Sequence, residues 1–539
     1  MRRKQAILVL TLCALILPAE RGTLALTRGD VLYVKPGASG GCTSWADACE
    51  LQTALAGAEA GYDIWVAKGT YRPTTGADRA ATFQLVSGVG VYGGFTGSET
   101  SRDSRGHWFE HATILSGDLN RDDGPDLFAN YDDNSYHVVN GSGVSGTAVL
   151  NGFWIIAGNA NGSHINDTDR GGGMFVGGGS PTVESVFIAY NRGFYGGGMF
   201  NDESNPTLVD CGFEDNSSLA GGGMYNHKSN PSLEDVYFWG NVASSGAGMF
   251  NHMSRPELVD VAIRYNNAGN EGGGMFNSQS SPGLKLVDSG QNSAVNNGGG
   301  MFNANESSPS LSDVWFWENM ADWGGGMYNS GENSLLIVRT TFRDNEAEFG
   351  GGGMYNNESD PALGNAVFLN NAAYYGGGVY NYWSDPVFSN CTFRGNSADF
   401  LGAGMYNTFH SNPNVDNSIM WPGPGGVLGT DAVDQIYDGP NSNTQVRYSD
   451  VLNWTGGDNN IEAEPRFVDG SNPRLQPTSP AIDAGDNRLV FPGTTTDRDG
   501  LPRFADIAAV PDTGYGDPGV VDMGAYEVRN RAYLPLVVR

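Results

Sequence analysis

Residues 221–226 read Gly221-Gly222-Gly223-Met224-Tyr225-Asn226, and nearly the same six return as Gly246-Ala247-Gly248-Met249-Phe250-Asn251 and Gly272-Gly273-Gly274-Met275-Phe276-Asn277. The methionine position recurs at 174, 199, 224, 249, 275, 301, 327, 354, 379 (a valine) and 405, at spacings of 25 to 27 residues. Each copy carries a second half: a proline-containing turn, a short apolar stretch, then Phe-x-x-Asn. Phe213/Asn216, Phe238/Asn241, Phe316/Asn319, Phe342/Asn345, Phe368/Asn371 and Phe393/Asn396 follow that form.

A helical repeat of this length needs about 10 to 15 residues of 3.6-residue periodicity, and glycine triplets oppose it. Short strands joined by tight turns satisfy the pattern instead. Glycine supplies corners with positive φ, and proline ends strands at bends. One coil cannot bury its own apolar face, so coils must stack. In-register stacking sets each repeat position over its counterpart at ~4.8 Å and turns like residues into ladders. The expected architecture is all-β: a single-stranded, right-handed parallel β-helix with three short strands per coil and a short N-terminal capping helix.

The remaining chain is read outward from the repeats. Residues 1–25 have the form of a signal peptide, with a basic start at Arg2, Arg3 and Lys4 and an apolar run from Ala6 to Leu17. About twelve apolar residues are too few for a bilayer span, which needs about 20. The expectation is a secreted, extracellular or cell-surface chain with no transmembrane segment once processed. Residues 31–160 read as an N-terminal cap and irregular coils, 161–416 as regular repeats, 417–528 as C-terminal coils and cap, and 529–539 as a tail. Ser44-Trp45-Ala46-Asp47 resembles a helix start, with Leu51, Ala54 and Leu55 on one face to plug the first coil.

Charge narrows the partners. The chain has 30 basic and 60 acidic residues, a net charge of −30. Removing Arg2, Arg3, Lys4, Arg21 and Glu20 leaves 26 basic and 59 acidic residues, a net of −33. Such a surface repels phosphate backbones and anionic lipid heads, which argues against nucleic acid. A polysaccharide or a cell-surface glycan is the expected partner, and the chain is expected to be a monomer. Cys42 and Cys49, close in sequence beside the helix start, are expected to form a local disulfide. Cys211 and Cys391 share a column seven coils apart, ~34 Å, and are expected to be buried thiols.

Four sets of side chains are candidates for function. The aromatics after the methionines, Phe175, Phe200, Tyr225, Phe250, Phe276, Phe302, Tyr328, Tyr355, Tyr380 and Tyr406, form an outer ligand-contact stripe if methionine points inward. The alternative is that the rings pack on each other or point inward. Asp210, Asp235, Asp260 and Asp313, continued by Asn365 and Asn390, form a column that either bridges Ca²⁺ or serves a turn. Asp118, Asn120 and Asp122, with Asp123 and Asp126 after them, have oxygen spacing similar to the start of a calcium loop, though no Glu closes it. Asp483, Asp486, Asp497, Asp499 and Asp522 are a further acidic group. No cofactor is required on this reading, with Ca²⁺ the ion to consider.

The combination of Gly-Gly-x-x with Phe-x-x-Asn resembles the repeats of chlamydial polymorphic outer-membrane proteins and, more broadly, the pectin-lyase-like β-helix superfamily. Residues 31–34, 43–55, 62–71, 83–99, 114–118 and 136–158 resemble the N-terminal part of bacterial choice-of-anchor Q domain proteins. Residues 417–421, 463–469, 475–486, 497–504 and 521–527 resemble the C-terminal part of that family. The resemblance implies a secreted β-helix and transfers no catalytic residue. Asn-Thr-Asp, Gly-His-Gly and Arg-Ile-Lys, signatures of polygalacturonase-type hydrolases, are absent. The leading expectation is a noncatalytic surface protein for adhesion or glycan contact. The alternatives are a polysaccharide lyase or glycoside hydrolase on the same scaffold, and a structural component of the cell envelope.

Overall fold

The computed structural model describes residues 31–529 apart from 125–127, 424–433, 455, 508 and 518. The expected signal peptide and residues 530–539 of the tail lie outside the described residues. The chain is a parallel β-helix. One sheet gathers 13 strands, one from each of 13 coils, among them Met199–Asp202, Met224–His227 and Met249–His252. A 23-stranded sheet gathers the second half of each coil, as in Thr207–Glu214 and Ser232–Trp239, and a seven-stranded sheet contains Val242–Ser245. Every neighbouring pair in the 13-stranded sheet is parallel and in register; Met199 faces Met224, Met224 faces Met249, and Met249 faces Met275. Among the described residues no helix is long and apolar enough to cross a membrane.

The methionines point inward and are fully buried, so the aromatic after each lies on the outer surface. Met224, Leu233, Val236 and Phe238 show how one coil contributes to the shared core. Each such side chain gains ~1.5–3 kcal/mol on burial. The glycine triplet has a geometric cause. Gly221 has a φ of 68°, in the left-handed region. A Cβ on Gly222 would sit 2.5 Å from the Ala247 carbonyl, and one on Gly223 would sit 2.7 Å from that of Gly248. Ala247 and Ala403 show that the second position yields to a single methyl.

Three internal ladders satisfy the buried turns. Asn201, Asn226, Asn251, Asn277, Asn303, Asn329, Asn356, Asn381 and Asn407 each donate Nδ2 to the next Oδ1 at 2.7–2.8 Å as far as Asn407. The asparagines of Phe-x-x-Asn do more. Asn241 accepts from the backbone N–H of Asn216 and donates both to the Phe213 carbonyl and to Asn266. A serine ladder at 204, 229, 254, 280 and 307 caps the proline turns.

One sequence reading needs correction, and of the two roles expected for the Asp210 column the turn is the one seen. Ser44 caps one isolated 3-10 turn, Trp45–Asp47, and the helix α1 begins only at Leu51 and ends at Gly57. Ala48 is extended and breaks the two apart. Buried Leu51, Ala54 and Leu55 then close the first coil. The Asp210 column is a backbone feature: Asp210, Asp235, Asp260, Asp313, Asn365 and Asn390 all have φ of 52–59°. They bend the long strand, and short polar side chains tolerate that left-handed geometry better than others.

The outer face of the 23-stranded sheet is covered at both ends. Near the start, Arg105 reaches the Gly93 carbonyl and Asn151, and Phe109 packs edge-on against Trp154 at 5.6 Å. At the other end, the segment after residue 463 folds back. Leu475, Ile482, Ile507 and Met523 pack on Ile419, and Ala525 and Tyr526 pack on Val367 and Leu369. Between these two walls the sheet is open.

Candidate functional site

The aromatic column runs up the outside of the 13-stranded sheet. Phe200–Tyr225, Tyr225–Phe250 and Phe250–Phe276 are separated by 4.9, 4.8 and 4.5 Å, at interplanar angles of 16°, 10° and 5°. Tyr328–Tyr355 and Tyr355–Tyr380 continue at 4.7 Å, while Phe302 is tilted between Phe276 and Tyr328. Tyr380 and Tyr406 stand 4.8 Å apart. Ring faces are therefore occupied by neighbouring rings, and only edges reach solvent. Burial raises the Tyr225 hydroxyl to about 12 and keeps the phenols of this column neutral. Sugar stacking needs a free face, which the stacked stretches of this column do not offer.

Outward aromatics also occur on the open stretch of the 23-stranded sheet. In the strands around each inward Phe, the residues on either side point outward. One outward file runs Glu214, Trp239, Arg264, Gly290, Trp317, Arg343 and the other Tyr237, Ala262, Asp288, Trp315, Thr341, all in register. Five intervals make a floor ~24 Å long. Trp239 is 40% exposed and Trp315 is 44% exposed. Trp317 lies over Gly290, where a Cβ would meet its ring. Its indole N–H donates to Asp288, whose other oxygen pairs with Arg264. Arg498 from the C-terminal segment stands over Trp315 at 5.1 Å. Asp288, Trp315, Trp317, Glu318, Arg343 and Asp344 together line a hollow of about 280 Å³. Arg343 is held by Asp344 at 2.7 Å. The sequence reading did not single out these residues. Their signal was present in Val314-Trp315-Phe316-Trp317, where an inward Phe dictates outward neighbours.

The acidic candidates separate on inspection. Asp118 and Asp122 come together with Asp123, one oxygen of each within 4.8 Å of the others, and Asn120 is exposed in the same loop. Asp118 is already engaged: Oδ1 accepts from the Arg121 and Asp122 N–H groups, and Oδ2 lies 3.4 Å from Arg72. Burial, aided by Asp118, Asp133 and Asp122, pushes Asp123 up to about 6 against an opposing hydrogen bond from Asn134. Asp126 lies outside the described residues. Of the later group, Asp486 holds Arg488, Asp499 holds Arg474, and Asp497 accepts from its own turn and from the Glu527 N–H. Asp522 accepts from the N–H groups of Asp483 and Val528. Asp483 alone enters a triad, with Asp506 and Asp512.

Cys42 and Cys49 are joined by a disulfide. Cys211 and Cys391 are free and buried, and desolvation pushes both thiols up to about 12, which leaves them inert. His227 and His252 stack at 5.7 Å, and His227 Nδ1 lies 2.6 Å from Asp202, an ordinary surface pair.

No family model matches the chain, and no curated protein matches it in sequence. Among solved structures it is similar to one described as "Crystal structure of pectate lyase Pel9A", at 11% identity and a TM-score of 0.33, over 94% of this chain and 98% of that one.

Proposed function

We propose that this chain is a noncatalytic extracellular β-helix protein that contacts a neutral, hydroxyl-rich glycan along the open stretch of its 23-stranded sheet. The observation that carries the reading is the hollow formed by Asp288, Trp315, Trp317, Glu318, Arg343 and Asp344. Partly exposed indoles offer apolar surface to sugar rings, while carboxylates and a guanidinium accept from and donate to hydroxyls. Three carboxylates against one free-ended guanidinium, on a chain of net charge −30, disfavour polyuronates and sulfated glycans. Export through the N-terminal segment, and kinship with choice-of-anchor Q domain proteins, belong to the same reading.

A glycan array followed by titration calorimetry tests it. The expected outcome is binding to neutral polysaccharides that falls at least tenfold in Trp315→Ala/Trp317→Ala, with the far-ultraviolet spectrum unchanged. Failure of all neutral glycans to bind, or equal binding by the double variant, would sink the proposal. Release of reducing ends or unsaturated uronates from any bound polymer would replace it with the enzyme reading.

A further inference from the structure

The C-terminal segment carries a cluster that the glycan reading does not use. Asp483 sits in a stretch whose flanking residues Ile482 and Ala484 are buried in the small apolar core with Leu475, Ile507 and Met523. Ile507 and the partly buried Val510 pin a second stretch to that core, which brings Asp506 and Asp512 to the same place. The Asp483 carbonyl accepts the N–H groups of Thr513 and Gly514, both at 3.0 Å, and so fixes the position of Asp512. One oxygen of each of the three carboxylates lies within 4.8 Å of the others.

Asp483 is fully buried, and neither of its side-chain oxygens has a hydrogen-bond partner. The Ile507 N–H approaches it without reaching hydrogen-bond geometry. Among the described residues no lysine, arginine or histidine forms an ion pair with any of the three. A buried carboxylate in this state is paired, protonated or bound to a metal. Protonation leaves an unmet donor and acceptor on Asp483 and does not account for the two exposed carboxylates, Asp506 and Asp512, gathered beside it. A hard divalent cation answers all three at once. Ca²⁺ accepts irregular oxygen sets completed by water, whereas Mg²⁺ demands near-ideal octahedral geometry.

We infer that Asp483, Asp506 and Asp512 form a Ca²⁺ site that clasps residues 505–507 and 509–513 to the turn around Asp483 and so locks the C-terminal cover onto the sheet. Asp506 and Asp512 lie at the surface, so converting both to asparagine leaves the core intact.

The test uses the full chain stripped with EGTA, and measures ⁴⁵Ca²⁺ uptake by flow dialysis at neutral pH, with Mg²⁺ as competitor. The expected result is one Ca²⁺ equivalent, with Kd about 10⁻⁵–10⁻³ M, lost in Asp506→Asn/Asp512→Asn and in Asp483→Asn. Five millimolar CaCl₂ then raises the thermal midpoint of the wild-type chain by about 2 °C or more and leaves the double variant unmoved. Equal uptake by wild type and double variant, or displacement of the ion by equimolar Mg²⁺, overturns the inference. If Asp483→Asn fails to fold, the surface double variant still decides.

Discussion

At the scale of single residues, the asparagine of Phe-x-x-Asn has the largest structural role for its size. Asn266 is fully buried. Its Oδ1 accepts from the Asn241 N–H and Asn241 Nδ2, and its own Nδ2 donates to Phe238, Arg264 and Asn292. Alanine there would strand two donors of Asn241 and leave the Phe238 carbonyl short of a partner. Buried unmet groups cost ~1–3 kcal/mol each, so Asn266→Ala should lose ~3–5 kcal/mol, some of it recovered where water enters. Urea unfolding followed by fluorescence measures this as a shift in midpoint. A loss under ~1 kcal/mol would mean that the ladder is decorative. The recurrence of Asn every 25 to 27 residues made this column readable, because stacking is the only arrangement that lets a primary amide meet its own kind repeatedly. The serine ladder was not read, although Ser204, Ser229 and Ser254 each sit two residues before a proline. Serine in a turn has too many uses for its recurrence alone to name a partner.

At the scale of elements, the strand ending at Asp450–Val451 shows how the returning C-terminal segment changes chemistry on the sheet it covers. Asp450 follows Ile419 in its column and is fully buried. One oxygen accepts the Ala463 N–H at 3.1 Å and the other has no partner. Burial, with Glu462 nearby, pushes its carboxyl up to about 7. Its unfolded value is about 3.9. The folded chain therefore holds this proton more tightly, and the stability it contributes below about pH 4 is lost as pH rises through 7. Asp450→Asn should remove that dependence: unfolding midpoints close to wild type at pH 4.5, and higher than wild type at pH 8. Identical pH slopes in EGTA for both proteins would show that Asp450 does not titrate as placed. None of this was legible in the sequence, because the covering of the sheet depends on residues after 463, which carry no repeat. The same limit explains the candidate sites. The aromatic column after methionine was visible as a pattern, yet its availability depended on ring orientation. The Trp315 hollow and the Asp483 triad each join residues from different coils or from both sides of a turn. Only the inward–outward alternation around Phe316 hinted at the first, and the second had no periodic signal at all.

At the scale of the whole molecule, each coil touches chiefly the coil before and the coil after it, so stability should add nearly coil by coil. Deleting residues 225–249 joins Met224 directly to Phe250 and regenerates Gly-Gly-Gly-Met-Phe-Asn without a seam. Every column keeps its members: Asn201 then meets Asn251, Leu208 meets Leu258, and Phe213 meets Ile263. That shortened chain should fold, with a thermal midpoint within about 5 °C of the full chain, since one set of core residues and its two interfaces are replaced by one interface of the same kind. Deleting only residues 225–236 is the contrasting case, although it removes half as much. It carries the remaining coils out of register, sets polar turn residues against buried columns, and faces the left-handed bend at Asp210 with a straight strand. Cooperative unfolding should disappear and the protein should associate through its exposed edges. Circular dichroism melts and light scattering on the two deletions distinguish these outcomes. Equal damage from both would mean that the solenoid is held by something other than stacking of like on like. The ladders of Asn, Met and Phe would then be a consequence of the fold and not its cause.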